Sequence, residues 1–166
     1  MDFISHGLWG GISFGRRNKR VYLLAVGISL LPDILTEGLF SILYLSNIGG
    51  MPGWENGHPN ITDYPLWAQY LYDITHSFVI FALIFALFWI IIKRPLWVLA
   101  AWGLHILIDI PMHTLALFPT PFLWPISDIR INGLDWSNPF ILATNIILLA
   151  TAYFFWLSRK FIRKSK

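Results

Sequence analysis

The stretch GLHILIDIPMHTL, residues 103–115, places three ionisable side chains inside a longer apolar segment. That segment begins with PLWVLAAW at residue 95 and ends with ALF at residue 118, which is long enough to predict a membrane-spanning helix. The ionisable residues are His105, Asp109 and His113. A charged group at the centre of a bilayer costs about 2.5–3.5 kcal/mol on insertion scales. The segment therefore predicts both the fold class and the region in which a functional site lies.

The composition of the whole chain is typical of an integral membrane protein. Of its 166 residues 56% are apolar and only 13% are charged, so most of the chain has no soluble surface to offer. No linker or repeat interrupts the apolar segments, which predicts a single integral membrane domain over residues 1–166. The absence of cysteine excludes disulfides and thiolate metal sites. We expect an all-α, polytopic membrane helix bundle with a short N-terminal helix and four transmembrane helices, at about residues 21–46, 70–92, 95–118 and 139–158.

The basic residues predict the orientation of this bundle. With four spans, eleven of the twelve lysines and arginines fall on one side of the membrane, and only Arg130 falls on the other. The positive-inside rule makes the basic side cytoplasmic, together with the C-terminus, and puts the loops 47–69 and 119–138 outside. We expect a multi-pass protein of the inner or plasma membrane. The net charge of +3 then reflects topology, and no nucleic-acid partner is expected.

Ionisable residues in the other predicted spans share the depth of the first three, from mid-bilayer to the outer interface. His105, Asp109 and His113 are spaced i, i+4, i+8 and form one stripe on a helix. In the first span Asp33 precedes Glu37 by four residues, and in the second span Asp73 precedes His76 by three. Imidazole and carboxylate are ligands that divalent transition metals prefer. The alternative is a set of interhelical hydrogen bonds that lock the bundle.

The order of short motifs resembles a known family. The succession SHGLWGG, LLPDI, DITHSF, HILIDIPMH and FLWPIS, which covers roughly residues 1–127, is similar to the membrane-bound metal-dependent hydrolases of the YdjM type. In that family an N-terminal His, a Pro-Asp, a Thr-His-Ser and a His-x-x-x-Asp recur in this order, followed by a Trp-Pro. Its ligand order is in turn distantly similar to that of zinc-dependent phospholipases C and the related single-strand nucleases.

The resemblance implies a set of metal ligands and a cofactor. Because no histidine follows residue 113, a site for two divalent ions is a better match than the three-metal site of the soluble enzymes. The expected ion is Zn²⁺, with Mn²⁺ as the alternative. Carried over residue by residue, the implied ligands are His6, Asp33, His76, His105, Asp109 and His113.

The function that the resemblance implies is metal-dependent hydrolysis, with a catalytic site toward the outer half of the membrane. Asp33 would be the general base or a bridging carboxylate, and Asp109 the carboxylate shared between ions. Asp73, one turn from His76, could hold the second nitrogen of that imidazole. Arg130, the only basic residue predicted on the outer side, could bind a phosphate. A site at this depth meets lipids first, which favours a phosphoester of a lipid or lipid-like substrate.

Two other functions remain open for the same residues. The first is an ion carrier in which the His/Asp stripe binds an ion in transit. The second is a membrane scaffold or regulatory protein whose metal is structural. Membrane lipids are the expected partners in each case. The sequence assigns no role to Glu37, Asp128 or Asp135.

Overall fold

The computed structural model describes residues 1–45, 64–116 and 118–164. Within these ranges the chain is helical and contains no strand, as the sequence predicts. Most of the predicted loop 47–69 lies outside the described residues. A π-helical turn, Ile34–Gly38, connects the helices Lys19–Asp33 and Leu39–Leu45, and a 3₁₀ turn, Trp97–Leu99, precedes the helix Ala100–Met112. The α-helices are α1 Phe3–Phe14, α2 Lys19–Asp33, α3 Leu39–Leu45, α4 Leu66–Thr75, α5 Phe78–Ile92, α6 Ala100–Met112 and α7 Pro139–Lys164.

The first two helices form a tight hairpin. Asp2 caps α1 by accepting a hydrogen bond from the backbone N–H of Ser5 at 2.9 Å. Gly10 of α1 faces Ser29 of α2 so closely that a Cβ added to the glycine would lie 2.4 Å from the Ser29 Cβ. The Ser29 hydroxyl donates to the backbone oxygen of His6 at 2.7 Å. Small residues at this crossing therefore bring α1, and with it His6, against α2.

The helix α2 continues through the π-helical turn into α3. Pro32 lies inside α2 and cannot donate a backbone hydrogen bond, and the wider turn Ile34–Gly38 begins two residues later. The Thr36 hydroxyl donates to the backbone oxygen of Pro32 at 2.9 Å. This irregular stretch holds Asp33 at the end of α2 and Glu37 within the π turn.

The helices α4 and α5 are separated by a sharp break. Their axes differ in direction by 58°. The side chain of Ser77 accepts hydrogen bonds from the first backbone N–H groups of α5 and donates to the backbone oxygen of Trp124. The backbone N–H of Phe78 donates to the oxygen of Phe122 at 2.9 Å. The segment that precedes α7 thus packs on the break, where His76 lies.

Fewer helices are long enough to cross a membrane than the sequence predicts. Among the residues that the structure describes, two qualify by length and apolarity, Lys19–Leu43 and Pro139–Lys160, or three if the bent pair of α4 and α5 counts as one span. The prediction of four is therefore wrong at 95–118, because the apolar helix Trp97–Met112 is too short. It ends directly after Pro111, and His113 adopts extended backbone angles. The backbone N–H of Gly133 donates to the oxygen of His113, so the chain turns back there.

Candidate metal centre

Four side chains from three parts of the fold form a group that could hold a metal ion. They are Asp33 at the end of α2, His76 at the break between α4 and α5, and His105 and Asp109 on α6. Each offers one ligand atom, and these atoms all lie within 4.8 Å of one another. The two histidines and Asp109 are buried, whereas the side chain of Asp33 is 14% exposed.

The distances within this group are short on every side. The Nε2 atoms of His76 and His105 lie 3.1 Å apart, and Oδ1 of Asp33 lies 3.5 Å from each of them. On the opposite side, Oδ2 of Asp109 lies 3.1 Å from Nε2 of His105 and 3.8 Å from that of His76. Two imidazoles therefore lie between two carboxylates, which is a donor set suited to a divalent transition metal.

The other oxygen of Asp109 faces a second group of polar atoms. Its Oδ1 lies 2.8 Å from Nε2 of His6 and 3.3 Å from Nε2 of His113. The amino group of Met1 donates to the same oxygen at 2.7 Å and lies 3.0 Å from the His113 Nε2. Asp109 thus stands between two sets of nitrogen atoms, one on each carboxylate oxygen. All six residues that the sequence nominated as ligands are brought together here.

Hydrogen bonds from the break indicate which tautomer His76 adopts. Its Nδ1 lies 3.2 Å from the backbone oxygen of Tyr72 and 3.0 Å from the hydroxyl of Thr75. Because the Thr75 hydroxyl donates to the backbone oxygen of Leu71 at 2.8 Å, it has only acceptor capacity left for His76. Both neighbours therefore need a proton on Nδ1. In the neutral imidazole this leaves the Nε2 lone pair for a cation.

Several buried nitrogen atoms at the centre have no hydrogen-bond partner within the described part of the chain. Both ring nitrogens of His6 are in this state, as are Nδ1 of His105 and Nδ1 of His113. Of these atoms His6 Nε2 lies 2.8 Å from Oδ1 of Asp109. Leaving a buried polar atom unpaired costs about 1–3 kcal/mol. The fit to a bound metal rests instead on the Nε2 atoms of His76, His105 and His113, which crowd the two carboxylates as ligands around a cation do, while the unpartnered Nδ1 atoms are the other nitrogens of the His105 and His113 rings.

Two residues with predicted catalytic roles pair with each other instead. The Arg130 guanidinium donates to Oδ1 of Asp73 at 3.1 Å and to the backbone oxygen of Pro119 at 2.7 Å. Asp73 was expected to hold the second nitrogen of His76, but Tyr72 and Thr75 take that position. The reason is local, because α4 ends at Thr75 and the turn at His76 leaves its Nδ1 over the last turn of the same helix.

The remaining acids lie at more open positions. Glu37 lies in the π turn and is exposed, as is Asp128. Asp135 accepts hydrogen bonds from the backbone N–H and the hydroxyl of Ser137, at 2.8 and 2.7 Å, and so organises the turn before α7.

The sequence reasoning missed the contribution of Tyr72 and Thr75. The signal was present, because a Thr directly before His76 and a carbonyl four residues earlier are both within reach of its ring.

Comparison of the chain with protein-family models, with curated proteins and with solved structures finds no match. The resemblance to the YdjM-type hydrolases therefore stays a prediction from the motifs. What the chain can do must be argued from its own residues.

Proposed function

We propose that the chain is a membrane-embedded, metal-dependent hydrolase that cleaves a phosphoester of a lipid or lipid-like substrate. One observation carries the proposal. Carboxylates and imidazoles converge within 4.8 Å inside a chain that is 56% apolar, where each ionisable group is costly unless it is compensated. Hydrogen bonds between neutral side chains could join the helices at a lower cost, so this choice of residues favours a cation.

In this proposal the residues of the centre and their neighbours have different roles. A divalent cation, when bound, would supply a Lewis acid and an acidified water. Asp33 has the most accessible side chain of the four-residue group and is suited to orient a water and accept its proton. Asp109 faces one set of nitrogen atoms with each oxygen, as a carboxylate shared by two ions would. Tyr72 and Thr75 keep His76 in the tautomer that can bind a cation.

A groove beside the centre supports a lipid as the substrate. It has a volume of about 540 Å³ and lies between α6 and α7, with an almost wholly apolar lining. Met1 forms part of that lining, and its amino group contacts Asp109 and His113. A hydrocarbon chain in the groove would therefore have its polar end near the centre. The apolar lining includes Leu104, Ile108, Met112, Phe140, Ile141 and Leu148.

A metal-binding membrane scaffold is the second candidate. The burial of the centre supports this function, because His76, His105 and Asp109 are each at most 1% exposed. A metal that only holds helices together needs no access to solvent or substrate.

The experiment that tests the proposal uses the purified protein in detergent. Its metal content is measured first, and the loaded protein is then offered a phospholipid, a polyprenyl phosphate and a nucleotide. Release of phosphate or of a phosphorylated headgroup that a chelator abolishes is the expected result. Bound metal without turnover of any of these substrates would overturn the hydrolase proposal and favour the scaffold.

A further inference from the structure

A second cavity lies at the other end of α1, away from the metal centre. It has a volume of about 410 Å³ and lies between α1 and α7. Arg16 follows His6 by ten residues, which is roughly 15 Å at the helical rise per residue. The lining consists of Trp9, Ile12, Ser13, Arg16, Ala152, Phe155, Trp156 and Arg159.

The two helices run parallel in this region, which brings their basic ends together. Near the start of α1, Ser5 accepts a hydrogen bond from the Asn145 side chain at 2.6 Å. Further along, the Tyr153 hydroxyl donates to the backbone oxygen of Leu8 at 2.9 Å. Further in the same direction each helix leads to an arginine, Arg16 just after α1 and Arg159 in the last turns of α7.

The aromatic wall of the cavity is held in position by its neighbours. Trp156 stacks on Tyr22, with the ring centroids 5.8 Å apart, and packs edge-on against Tyr153. The Tyr22 and Tyr153 hydroxyls lie 2.8 Å apart and are hydrogen-bonded. The Lys160 ammonium lies 5.7 Å from the centre of the Trp156 ring and adds a third positive charge at the rim. The cavity therefore has a preformed wall.

The cavity carries positive charge without a counter-charge. Arg16 and Arg159 make no ion pair with any residue that the structure describes. The sequence has no acid between residues 3 and 32 and none after residue 135, so no carboxylate from the elements that build this cavity is near. Two guanidinium groups that line one cavity attract an anion, and their planar donor forks match phosphate oxygens.

We propose that this cavity binds the phosphate headgroup of an anionic phospholipid. Arg16 and Arg159 would contact the phosphate, and the acyl chain would follow the apolar side of the cavity along Ile12, Ala152 and Phe155. A lipid is favoured over free phosphate because Phe155 is 58% exposed and continues the cavity onto the outer surface of α7. Arg159 also lies at the end of a candidate span, Pro139–Lys160, which is the depth of lipid headgroups.

The test compares two pairs of substitutions in the full-length protein. Arg16→Gln with Arg159→Gln removes the two cavity arginines. Arg17→Gln with Arg20→Gln removes the same charge from neighbouring positions that do not line the cavity. Retained phosphatidylglycerol is counted by native mass spectrometry in detergent at physiological salt, with phosphatidylcholine as the zwitterionic reference. We expect the cavity pair to weaken phosphatidylglycerol binding about 10–30-fold and the control pair less than about threefold.

Each other outcome has a defined meaning. Equal losses in the two pairs would show general charge attraction and overturn the proposal. Competition by millimolar inorganic phosphate that removes the lipid completely would assign the cavity to free phosphate, which also overturns it. If the cavity pair did not fold, wild-type protein that retains both lipids equally would still contradict the site. Unchanged metal content and thermal unfolding of both pairs in phosphatidylcholine exclude an indirect effect.

Discussion

The Nε2 atoms of His76 and His105 lie 3.1 Å apart, although these residues are 29 positions apart in the sequence, one at the break between α4 and α5 and the other on α6. Because the surroundings of His76 keep the proton on its Nδ1, its Nε2 offers a lone pair toward His105. Either Nε2–H of His105 donates a hydrogen bond to that lone pair or both Nε2 atoms face a cation. The carboxylates of Asp33 and Asp109 on either side favour the cation, and most of the predictions below follow from this.

Removal of a central ligand should release the metal and weaken the fold. In His105→Ala or Asp109→Ala the remaining buried ligands lose their compensation, so we expect a loss of about 3–5 kcal/mol in the free energy of unfolding. Elemental analysis and thermal unfolding with and without a chelator measure both effects. Asp128→Ala, at an exposed position, is the control and should change neither quantity. Full metal content in a variant that combines His105→Ala with Asp109→Ala would mean that the site lies elsewhere.

The proposed general base can be tested by a nearly isosteric substitution. Asp33→Asn still forms hydrogen bonds but cannot accept a proton, so turnover should fall by roughly 10²–10⁴ while the fold persists. The rates of wild type and variant are compared at matched metal occupancy, with Asp128→Asn as a control carboxylate. Equal, non-zero rates would remove Asp33 from this role.

The tautomer of His76 makes a prediction about Thr75. Thr75→Val removes one acceptor of the Nδ1 proton, and loss of such a partner typically weakens metal affinity about 10–100-fold. Thr144→Val is a matched control, because the Thr144 hydroxyl likewise donates to the backbone oxygen four residues earlier but lies in α7. Titration with a chelator of known affinity compares the two variants. Equal affinities would contradict the role of Thr75.

Two glycines of the first hairpin provide another matched pair. Gly10→Ala forces a methyl group within 2.4 Å of the Ser29 Cβ, so α1 must move away from α2 and carry His6 with it. We expect a loss of about 1–3 kcal/mol in unfolding free energy together with weaker metal binding. Gly27→Ala meets no atom within 4 Å and should be neutral or stabilising by up to about 1 kcal/mol. The same metal affinity in both variants would show that the position of α1 does not affect the metal centre.

The convergence of the site residues could be anticipated from the sequence for physical reasons. The i, i+4 spacing puts His105 and Asp109 on one face of α6, with His113 directly after its end, and the common depth in an apolar chain brings other ionisable groups to them. Asp33 and His76 follow from the same cost of isolated charges in hydrocarbon. The grouping of these residues depends on their spacing along a helix and on their depth in an apolar segment, and both can be read from a sequence.

Other features depend on contacts between distant segments and could not be predicted. The Asp73–Arg130 pair requires the chain before α7 to fold back along α4, and no local pattern signals that path. The end of α6 is a different case, because Pro111 was visible but the apolar residues after it continued the hydropathy of a span. Backbone pairing of Gly133 with His113 ends the helix there instead.

The hairpin of α1 and α2 has a consequence for biosynthesis. His6 precedes Asp109, its partner at 2.8 Å, in the chain and therefore leaves the ribosome before it. The contacts that position His6 lie within this hairpin, since Ser29 donates to the backbone oxygen of His6 and Gly10 packs against Ser29. We therefore expect the hairpin that carries His6 to fold before α6 brings Asp109 to it. We expect metal to bind only after the hairpin has formed, because His105 and Asp109 on α6 are synthesised later.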